Sequence, residues 1–205
     1  MTPSTPDDRP EVETRFLDAA ERLLIDVGYA QVSTRKLAET AAANHGLVHY
    51  YFGSMEELFI RVLERFTQRL IARQRELYAS DMPYVAKWRE AMRYLDLDQP
   101  YQKIWWELQA MAWNRTQFRE RIAAVHAAWC DAMRTAVAEA LTRYRHDSGP
   151  LTPDAWVTMI VALNEGIILE RLSGITRGHD ELLNGIDAWL TSLEQGANEP
   201  SERKA

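Results

Sequence analysis

The sequence predicts an all-α protein. Apolar residues recur three and four positions apart through long segments, which is the spacing of an amphipathic helix. Most of the 9 glycines and 8 prolines stand near the chain ends or between those segments. No stretch alternates apolar and polar residues as a strand would, and no apolar run approaches ~18 residues, so a membrane span is not indicated.

The N-terminal part begins with a polar tail, residues 1–9, that is expected to be disordered. The first helix is predicted from about Glu11 to Val27, because its apolar residues share one face. Gly28 is a suitable stop for that helix.

Residues 33–53 predict two short helices joined by a tight turn. Asn44 can cap the second helix, while Val48 and Phe52, four residues apart, can anchor it to a core. Ser54 and Glu57 then form a capping box that starts the next helix. This order predicts a helix-turn-helix, whose second helix enters the DNA major groove.

Longer helices fill the remainder of the chain. They are predicted at residues 54–79, 84–96, 101–114, 117–145, 153–173 and 180–195. Pro83, Pro100 and a turn at 147–150 separate them, and Thr152 caps the helix that starts at Pro153. The helix at 101–114 is apolar nearly all round, which predicts burial or a cavity wall. Residues 196–205 are expected to form a second disordered tail.

Charge excludes a protein that coats nucleic acid without specificity. The net charge is −6, and residues 1–60 hold five Arg or Lys against ten Asp or Glu. Any DNA contact must therefore depend on a local surface, where Arg35, Lys36, His45 and His49 face only Glu39. The single Cys130, expected as a buried core thiol, and the lack of a secretory signal indicate the cytoplasm.

Residues 14–59 resemble the TetR (tetracycline-repressor) family of transcriptional regulators. The similarity is carried by residues 16–20, 28–29, 34–38, 46 and 51–54. The resemblance implies a helix-turn-helix DNA-binding domain at residues 10–59 and a C-terminal domain at 60–195. That second domain would bind a small-molecule effector and form a homodimer.

The predicted DNA contacts lie on the two motif helices. They are Thr34, Arg35, His45, Gly46, Leu47, His49, Tyr50 and Tyr51. The resemblance implies base contact for Arg35, whereas Thr34 is expected to cap its helix and touch phosphate. Tyr50 and Tyr51 can hydrogen-bond the DNA backbone, although one of them could instead belong to the core.

Neither a metal nor a cofactor is predicted. His45 and His49 have the four-residue spacing of a zinc pair, but Gly46 replaces the glutamate of the usual motif and no third ligand is evident. Groove contact is the favoured role for these two side chains.

Three positions depart from the family pattern. Ala42 stands at the turn glycine, His49 at a common tyrosine and Met55 at a lysine that contacts phosphate. A left-handed Ala42 would cost on the order of 1 kcal/mol.

Five of the seven tryptophans fall between residues 88 and 129. Aromatic core packing is one explanation, and a ligand cavity between helices is the other. The predicted effector-binding residues are Trp105, Trp106, Gln109, Met111, His126, Trp129 and Met133. Such a lining predicts a mostly apolar or aromatic effector with one or two polar groups.

The helix at 153–173 is apolar on more than one face, so one monomer cannot bury it completely. Together with 180–195 it predicts a four-helix bundle between two copies. The predicted dimerisation residues are Trp156, Ile160, Leu163, Ile167, Ile186, Trp189 and Leu190.

These observations predict a homodimeric regulator, most simply a repressor, that binds a pseudo-palindromic double-stranded DNA operator and is switched by its effector. The alternative is an all-α small-molecule binding protein with weak or lost DNA binding, suggested by Ala42, Met55 and the acidic N-terminal part. An enzyme is not expected, because no catalytic motif is recognisable in the sequence.

Overall fold

The computed structural model describes residues 9–144 and 151–198, and every regular element in those ranges is helical. The helices are α1 Arg9–Val27, α2 Thr34–Thr40, α3 Gly46–Phe52, α4 Met55–Ala79, α5 Tyr84–Leu97, α6 Gln99–Ala112, α7 Thr116–Arg143, α8 Pro153–Leu172 and α9 His179–Asn198. A single 3₁₀ turn, Tyr29–Gln31, follows α1. The predicted all-α fold is confirmed.

The chain ends differ slightly from expectation. Arg9 and residues 196–198 lie in helices rather than in the predicted tails, because α1 and α9 continue to Arg9 and Asn198. Residues 1–8, residues 199–205 and the predicted turn at 147–150 lie outside the described residues.

Contacts divide the chain into two units. The N-terminal unit is Met1–Arg69 with Gln99–Val125, and the C-terminal unit is Leu70–Asp98 with His126–Ala205. Helices α4 and α7 each have residues in both units. The domain boundary predicted at residue 59 lies inside α4, and α6 groups with the helix-turn-helix although the sequence suggests the second domain.

In the N-terminal unit, one face of α1 forms the centre of the core. Phe16, Leu24, Leu37 and Val48 are fully buried. The ring of Phe16 meets that of Phe52 edge to face, with centroids 6.2 Å apart. Each such side chain contributes about 1.5–3 kcal/mol by leaving water, so this core is what holds α3 in place.

Gly28 ends α1 in a conformation that only glycine adopts easily. Its φ is +78°, and a Cβ there would lie 2.8 Å from Oε1 of Glu107. The same Glu107 carboxylate accepts the backbone N–H of Tyr29 at 2.6 Å. The predicted stop at Gly28 therefore also lets α6 approach the end of α1.

The C-terminal unit combines an apolar cluster with polar ties between helices. Met133, Val137, Val157 and Val161 form the cluster. Arg89 of α5 donates two hydrogen bonds to Asp187 of α9, at 2.7 and 2.8 Å. These hydrogen bonds hold the pKa of Asp187 below its usual range.

Two expectations about burial are wrong. Only Ile104, Leu108 and Ala112 of α6 are buried, and Trp113, just after the helix, is 63% exposed, so this helix is not buried on every side. Cys130 is half-buried rather than buried, with its Sγ 3.6 Å from Nδ1 of His126.

Candidate nucleic-acid interface and ligand sites

The turn between α2 and α3 keeps its left-handed residue although no glycine is present. Ala42 has a φ of +49°, and it is the one described non-glycine residue with a positive φ. The backbone N–H of Ala43 bonds to the carbonyl of Ala38 at 3.0 Å, which closes the turn. The chain thus retains the motif geometry at a cost of roughly 1–2 kcal/mol.

Side-chain caps define the ends of the motif helices. Ser54 Oγ accepts the N–H of Glu57 at 3.1 Å, as predicted. Asn44 Oδ1 accepts the N–H of Gly46 at 2.9 Å, but Asn44 lies one residue before the N-cap of α3, which is His45. The predicted cap at Thr34 is wrong, because Ser33 Oγ accepts the N–H of Lys36 at 3.2 Å and Thr34 is the first helical residue. Thr34 itself is half-buried.

Helix α3 is amphipathic in the manner that groove binding requires. Val48 and Phe52 are buried, which confirms the predicted anchor. The other predicted contact residues of this region surround that anchor: His45, Gly46, His49 and Tyr50 are exposed, and Leu47 and Tyr51 are half-buried. A seven-residue helix therefore offers one face of mixed polar and aromatic character.

The two tyrosines of α3 differ in their surroundings. Tyr50 is 65% exposed, whereas the ring of Tyr51 lies 6.4 Å from that of Phe16 in the core. The Arg9 guanidinium lies 5.5 and 5.9 Å from their ring centroids. No sequence signal marks Arg9 for this position, because only folding brings the start of α1 beside α3.

Arg35 is solvent-exposed at the start of α2. Its Nε donates to Oε1 of Glu39 at 2.9 Å, and this hydrogen bond raises the pKa of the arginine. The side chains of Arg35 and Glu39 are 89% and 63% exposed. Such exposed pairs are weak, so Arg35 can exchange Glu39 for a stronger acceptor such as phosphate or a guanine edge.

His49 has a local partner that the sequence did not reveal. Its Nδ1–H donates to the carbonyl of Gly53 at 2.9 Å, at the end of α3. This bond orients the ring and leaves Nε2 as the atom that can contact DNA.

Within residues 9–144 and 151–198, no group of three or more His, Cys, Asp or Glu side chains is placed to hold a metal ion.

The predicted effector residues divide between the units. Trp105, Trp106, Gln109 and Met111 belong to the N-terminal unit, and His126, Trp129 and Met133 to the C-terminal unit. In the N-terminal unit, Nε1 of Trp106 and Oε1 of Gln109 are buried without a hydrogen-bond partner among the described residues. In the C-terminal unit, Trp129 and Met133 line a small cavity of about 40 Å³ together with Asn164, whose Oδ1 is likewise unpartnered within the described chain.

The predicted dimerisation residues also separate by burial. Ile167 and Leu190 are 4% and 7% exposed in the single chain, so they support α8 and α9 from inside. Trp156, Ile160, Leu163 and Ile186 are half-buried, and Trp189 is 41% exposed. On α8 and α9, four further apolar residues are exposed that the sequence did not predict for dimerisation: Met159, Leu169, Leu172 and Leu182. Since α8 is apolar on more than one face, its sequence does not distinguish these residues from the inner face.

Among the described residues, no helix combines the length and apolarity needed to cross a membrane.

Comparison with known proteins agrees with the predicted resemblance. Residues 16–62 match the family model described as bacterial regulatory proteins, tetR family. No curated protein matches this sequence. The family match confirms the TetR resemblance over the segment that contains the helix-turn-helix.

Solved structures match over nearly the whole chain. A protein described as a TetR-family transcriptional regulator from Rhodococcus sp. has a TM-score of 0.69 at 22% identity, covering 87% of this chain and 98% of its own. The regulator FadR from Bacillus subtilis, solved with stearoyl-CoA, has a TM-score of 0.68 at 17% identity, covering 89% and 98%. A protein described as a transcriptional regulator from Saccharomonospora viridis, solved with choline, has a TM-score of 0.68 at 19% identity, covering 91% and 96%. At these identities the likeness establishes the fold.

Proposed function

We propose that this chain is a cytoplasmic, homodimeric transcriptional repressor whose operator affinity is switched by a small molecule. The observation that carries the proposal is the exposed face of α3, held by buried Val48 and Phe52 inside a segment that matches the tetR family model. Regulators act by binding rather than by turnover, so we assign no catalytic role.

DNA recognition would come from a small set of side chains. Arg35 reads a base edge, while Tyr50, Tyr51 and Thr34 position the motif on the phosphate backbone. His45, Gly46, Leu47 and His49 complete the groove-facing set. Because residues 1–60 carry more acidic than basic groups, binding away from the operator should be weak.

A homodimer would provide a second recognition helix for the second half-site of the operator. Two recognition helices would contact half-sites about 34–36 Å apart on a pseudo-palindrome, or a multiple of that spacing. The apolar face of α8 and α9, with Met159, Leu169, Leu172, Leu182 and Trp189 exposed, is the proposed contact between copies. Large exposed apolar surfaces of this kind mark interaction sites.

The effector is proposed to be mostly apolar or aromatic with one or two polar groups. In the N-terminal unit, the indole N–H of Trp106 can donate to it and the amide oxygen of Gln109 can accept from it. Proteins with this fold have been solved with stearoyl-CoA and with choline, which supports small-molecule binding here.

The switch would act through the helices that belong to both units. Helix α4 begins at Met55, directly after the turn that follows α3, and it continues into the C-terminal unit. A ligand that binds one conformation of the protein more tightly than another, where the two differ in the position of α4, shifts the population of molecules that can bind DNA. Couplings of this type are typically about 1–3 kcal/mol.

A mobility-shift titration with the DNA upstream of the chain's own gene tests the proposal. Arg35→Ala should weaken operator binding by about tenfold to a hundredfold and relax the preference at one base position. Arg22→Ala is the matched control, because Arg22 is an exposed arginine of the same unit with a similar i,i+4 partner, Asp26. Equal affinities for Arg35→Ala and wild type would remove the base-reading role.

A second candidate is a small-molecule binding protein of the same fold with weak or lost DNA binding. The strained Ala42 turn, Met55 and the pairing of Arg35 with Glu39 favour it. This second function predicts that the protein causes no mobility shift of the upstream DNA, or of a library of random duplexes, at any salt concentration that leaves it folded.

A further inference from the structure

The start of α1 lies beside the recognition helix α3. The guanidinium carbon of Arg9, the first described residue, lies 5.5 Å from the ring centroid of Tyr50 and 5.9 Å from that of Tyr51. Both distances are within the roughly 6 Å over which an aromatic face attracts a cation. Because Arg9 belongs to α1, its charge reaches α3 from outside the two motif helices.

A chain of aromatic rings connects this position to the core. The ring of Tyr51 lies 6.4 Å from that of Phe16, which is fully buried. Tyr50 meets Tyr51 edge to face, with ring centroids 5.1 Å apart and planes at 83°. Arg9 lies at the outer end of this chain and is exposed. The rings therefore support the guanidinium at the surface without burying it.

The positive charge of Arg9 is not neutralised within the part of the chain that the structure describes. No carboxylate of residues 9–144 or 151–198 lies within ion-pair distance of its guanidinium. By contrast, Arg61 lies 2.8 Å from Glu13, and Arg65 lies 2.7 Å from Glu21. An arginine that stacks on aromatic rings keeps its N–H donors available, and the planar guanidinium matches the geometry of a phosphate.

The two tyrosines indicate which part of a DNA duplex Arg9 would meet. In the proposed function, Tyr50 and Tyr51 contact the phosphate backbone, which fixes the register of the motif. The guanidinium lies over these same two rings. A phosphate within hydrogen-bond reach of the Tyr50 hydroxyl would therefore lie near Arg9.

We propose that Arg9 contacts a phosphate of the DNA backbone beside the recognition helix, with Tyr50 and Tyr51 holding its guanidinium in place. The inference rests on the proposed function, since it requires DNA bound at α3. Such a contact adds affinity for every sequence and reads none of them. It makes α1 a third helix that contacts DNA, and it offsets the phosphate contact that Met55 cannot supply.

The test measures the affinity of the full-length chain for two duplexes of equal length over a range of salt concentrations. One duplex is the DNA upstream of its own gene, and the other has a random sequence. Each phosphate contact contributes about 0.9 to the slope of log affinity against log salt concentration. Arg9→Ala should therefore make the slope shallower by about 0.9 on both duplexes. The loss of affinity should be about eightfold at ~0.1 M salt and about threefold at ~0.3 M salt.

Two further arginine variants separate the charge from its position. Arg9→Lys keeps the charge, so it should keep the wild-type slope and lose only about twofold to threefold in affinity, because lysine offers a point charge in place of a planar fork. Arg22→Ala removes an exposed arginine of the same helix, roughly 20 Å along its axis from Arg9, and should change neither quantity. An unaltered helical signal in circular dichroism shows that each variant folds.

A double-mutant cycle tests whether the rings position Arg9. Tyr50→Leu removes one ring from beneath the guanidinium, so it should cost more affinity in the wild-type chain than in Arg9→Ala. Equal costs in the two backgrounds would mean that Tyr50 acts independently of Arg9, which contradicts the proposed arrangement.

The two duplexes distinguish failure of this inference from failure of the proposed function. A wild-type slope in Arg9→Ala would overturn the phosphate contact even if affinity fell, because Arg9 would then only support α3. A loss confined to the upstream duplex would also exclude it, since a phosphate contact is independent of sequence. Equal wild-type affinity for both duplexes, with the effect of Arg9→Ala intact, would instead remove sequence-specific recognition and leave the phosphate contact standing. Failure of the wild-type chain to bind either duplex would exclude both.

Discussion

The two units expose different chemistry. Nine of the eleven large exposed apolar residues among those described belong to the C-terminal unit, and only Tyr50 and Trp113 to the N-terminal unit. The N-terminal unit thus turns a polar and aromatic face outward from α3, whereas the C-terminal unit exposes the sides of α8 and α9. Surfaces of the first kind suit DNA, and surfaces of the second kind suit another apolar partner.

Arginines show the same contrast within the N-terminal unit. Arg61 pairs with Glu13, Arg65 with Glu21 and Arg121 with Glu64, at 2.6–2.8 Å. These cations tie helices together, so the motif region depends on Arg9, Arg35 and Lys36 for positive charge. The net charge of a unit therefore does not predict its DNA-binding surface, because several of its cations form ion pairs between helices.

The largest expected effect comes from the core of the N-terminal unit. Phe16→Ala should lower the free energy of unfolding by about 3–5 kcal/mol, because it leaves a cavity beneath α3. Trp113→Ala removes a larger aromatic ring that is 63% exposed and should change stability by only about 0.5 kcal/mol. Urea unfolding followed by circular dichroism measures both. Similar losses for the two variants would mean that Phe16 does not organise this core.

The next effect concerns the apolar surface of the C-terminal unit. Leu169→Arg should weaken self-association by roughly a hundredfold, since a charge would be buried without a partner in the proposed interface. Sedimentation velocity measures the change, and unaltered helical signal shows that the chain still folds. Leu97→Arg, at a residue of the same unit that is 55% exposed and outside α8 and α9, is the control. A dimer that survives Leu169→Arg but not Leu97→Arg would move the interface to another surface.

A third effect concerns the buried carboxylate that ties α9 to α5 and α7. Burial by itself raises the pKa of the Glu194 carboxyl. The hydrogen bond from Tyr144 and the charge of Arg143 lower this pKa by more, so it lies below the usual 4.5. A depressed carboxyl pKa stabilises the fold above the unfolded-state pKa, and this contribution is lost as pH falls through the folded-state value. Glu194→Gln should therefore cost about 1.5–3 kcal/mol at neutral pH.

The pH dependence distinguishes that role from simple packing. The difference in unfolding free energy between wild type and Glu194→Gln should shrink as the pH is lowered below about 4.5, when both side chains are neutral. A difference that stays constant down to pH 3 would show that the charge of Glu194 is not what stabilises this part of the C-terminal unit.

The smallest effect lies in the helix-turn-helix turn. Ala42→Gly should raise stability by about 1 kcal/mol, because glycine adopts a positive φ without the steric cost that alanine meets. Ala43→Gly, one residue later and without a positive φ, should instead lower it by about 0.5–1 kcal/mol. Thermal melts of the two variants can be compared directly. If both glycines destabilised the chain, the Ala42 turn would not be strained.

Local signals explain what could be predicted. Ser54 and Thr152 each cap a helix as expected, since a cap needs only its own side chain and a backbone N–H three residues later. The four-residue spacing of Val48 and Phe52 puts both side chains on one face of α3, so their burial could also be predicted. The cap predicted at Thr34 is at Ser33 instead, because these two adjacent residues have equally suitable hydroxyl groups. The cap predicted at Asn44 lies one residue before the N-cap His45.

The sequence alone determines the helical fold, its breaks and the helix-turn-helix, because these depend on contacts within a few residues. The tertiary structure alone decides which side of α8 is inside, since that helix is apolar on more than one face and the spacing of its apolar residues does not single out one of them. It also decides that Tyr84, Tyr144 and Trp189 surround one cavity. Residues so far apart in the chain meet only when the packing of whole helices, rather than any local preference, brings them together.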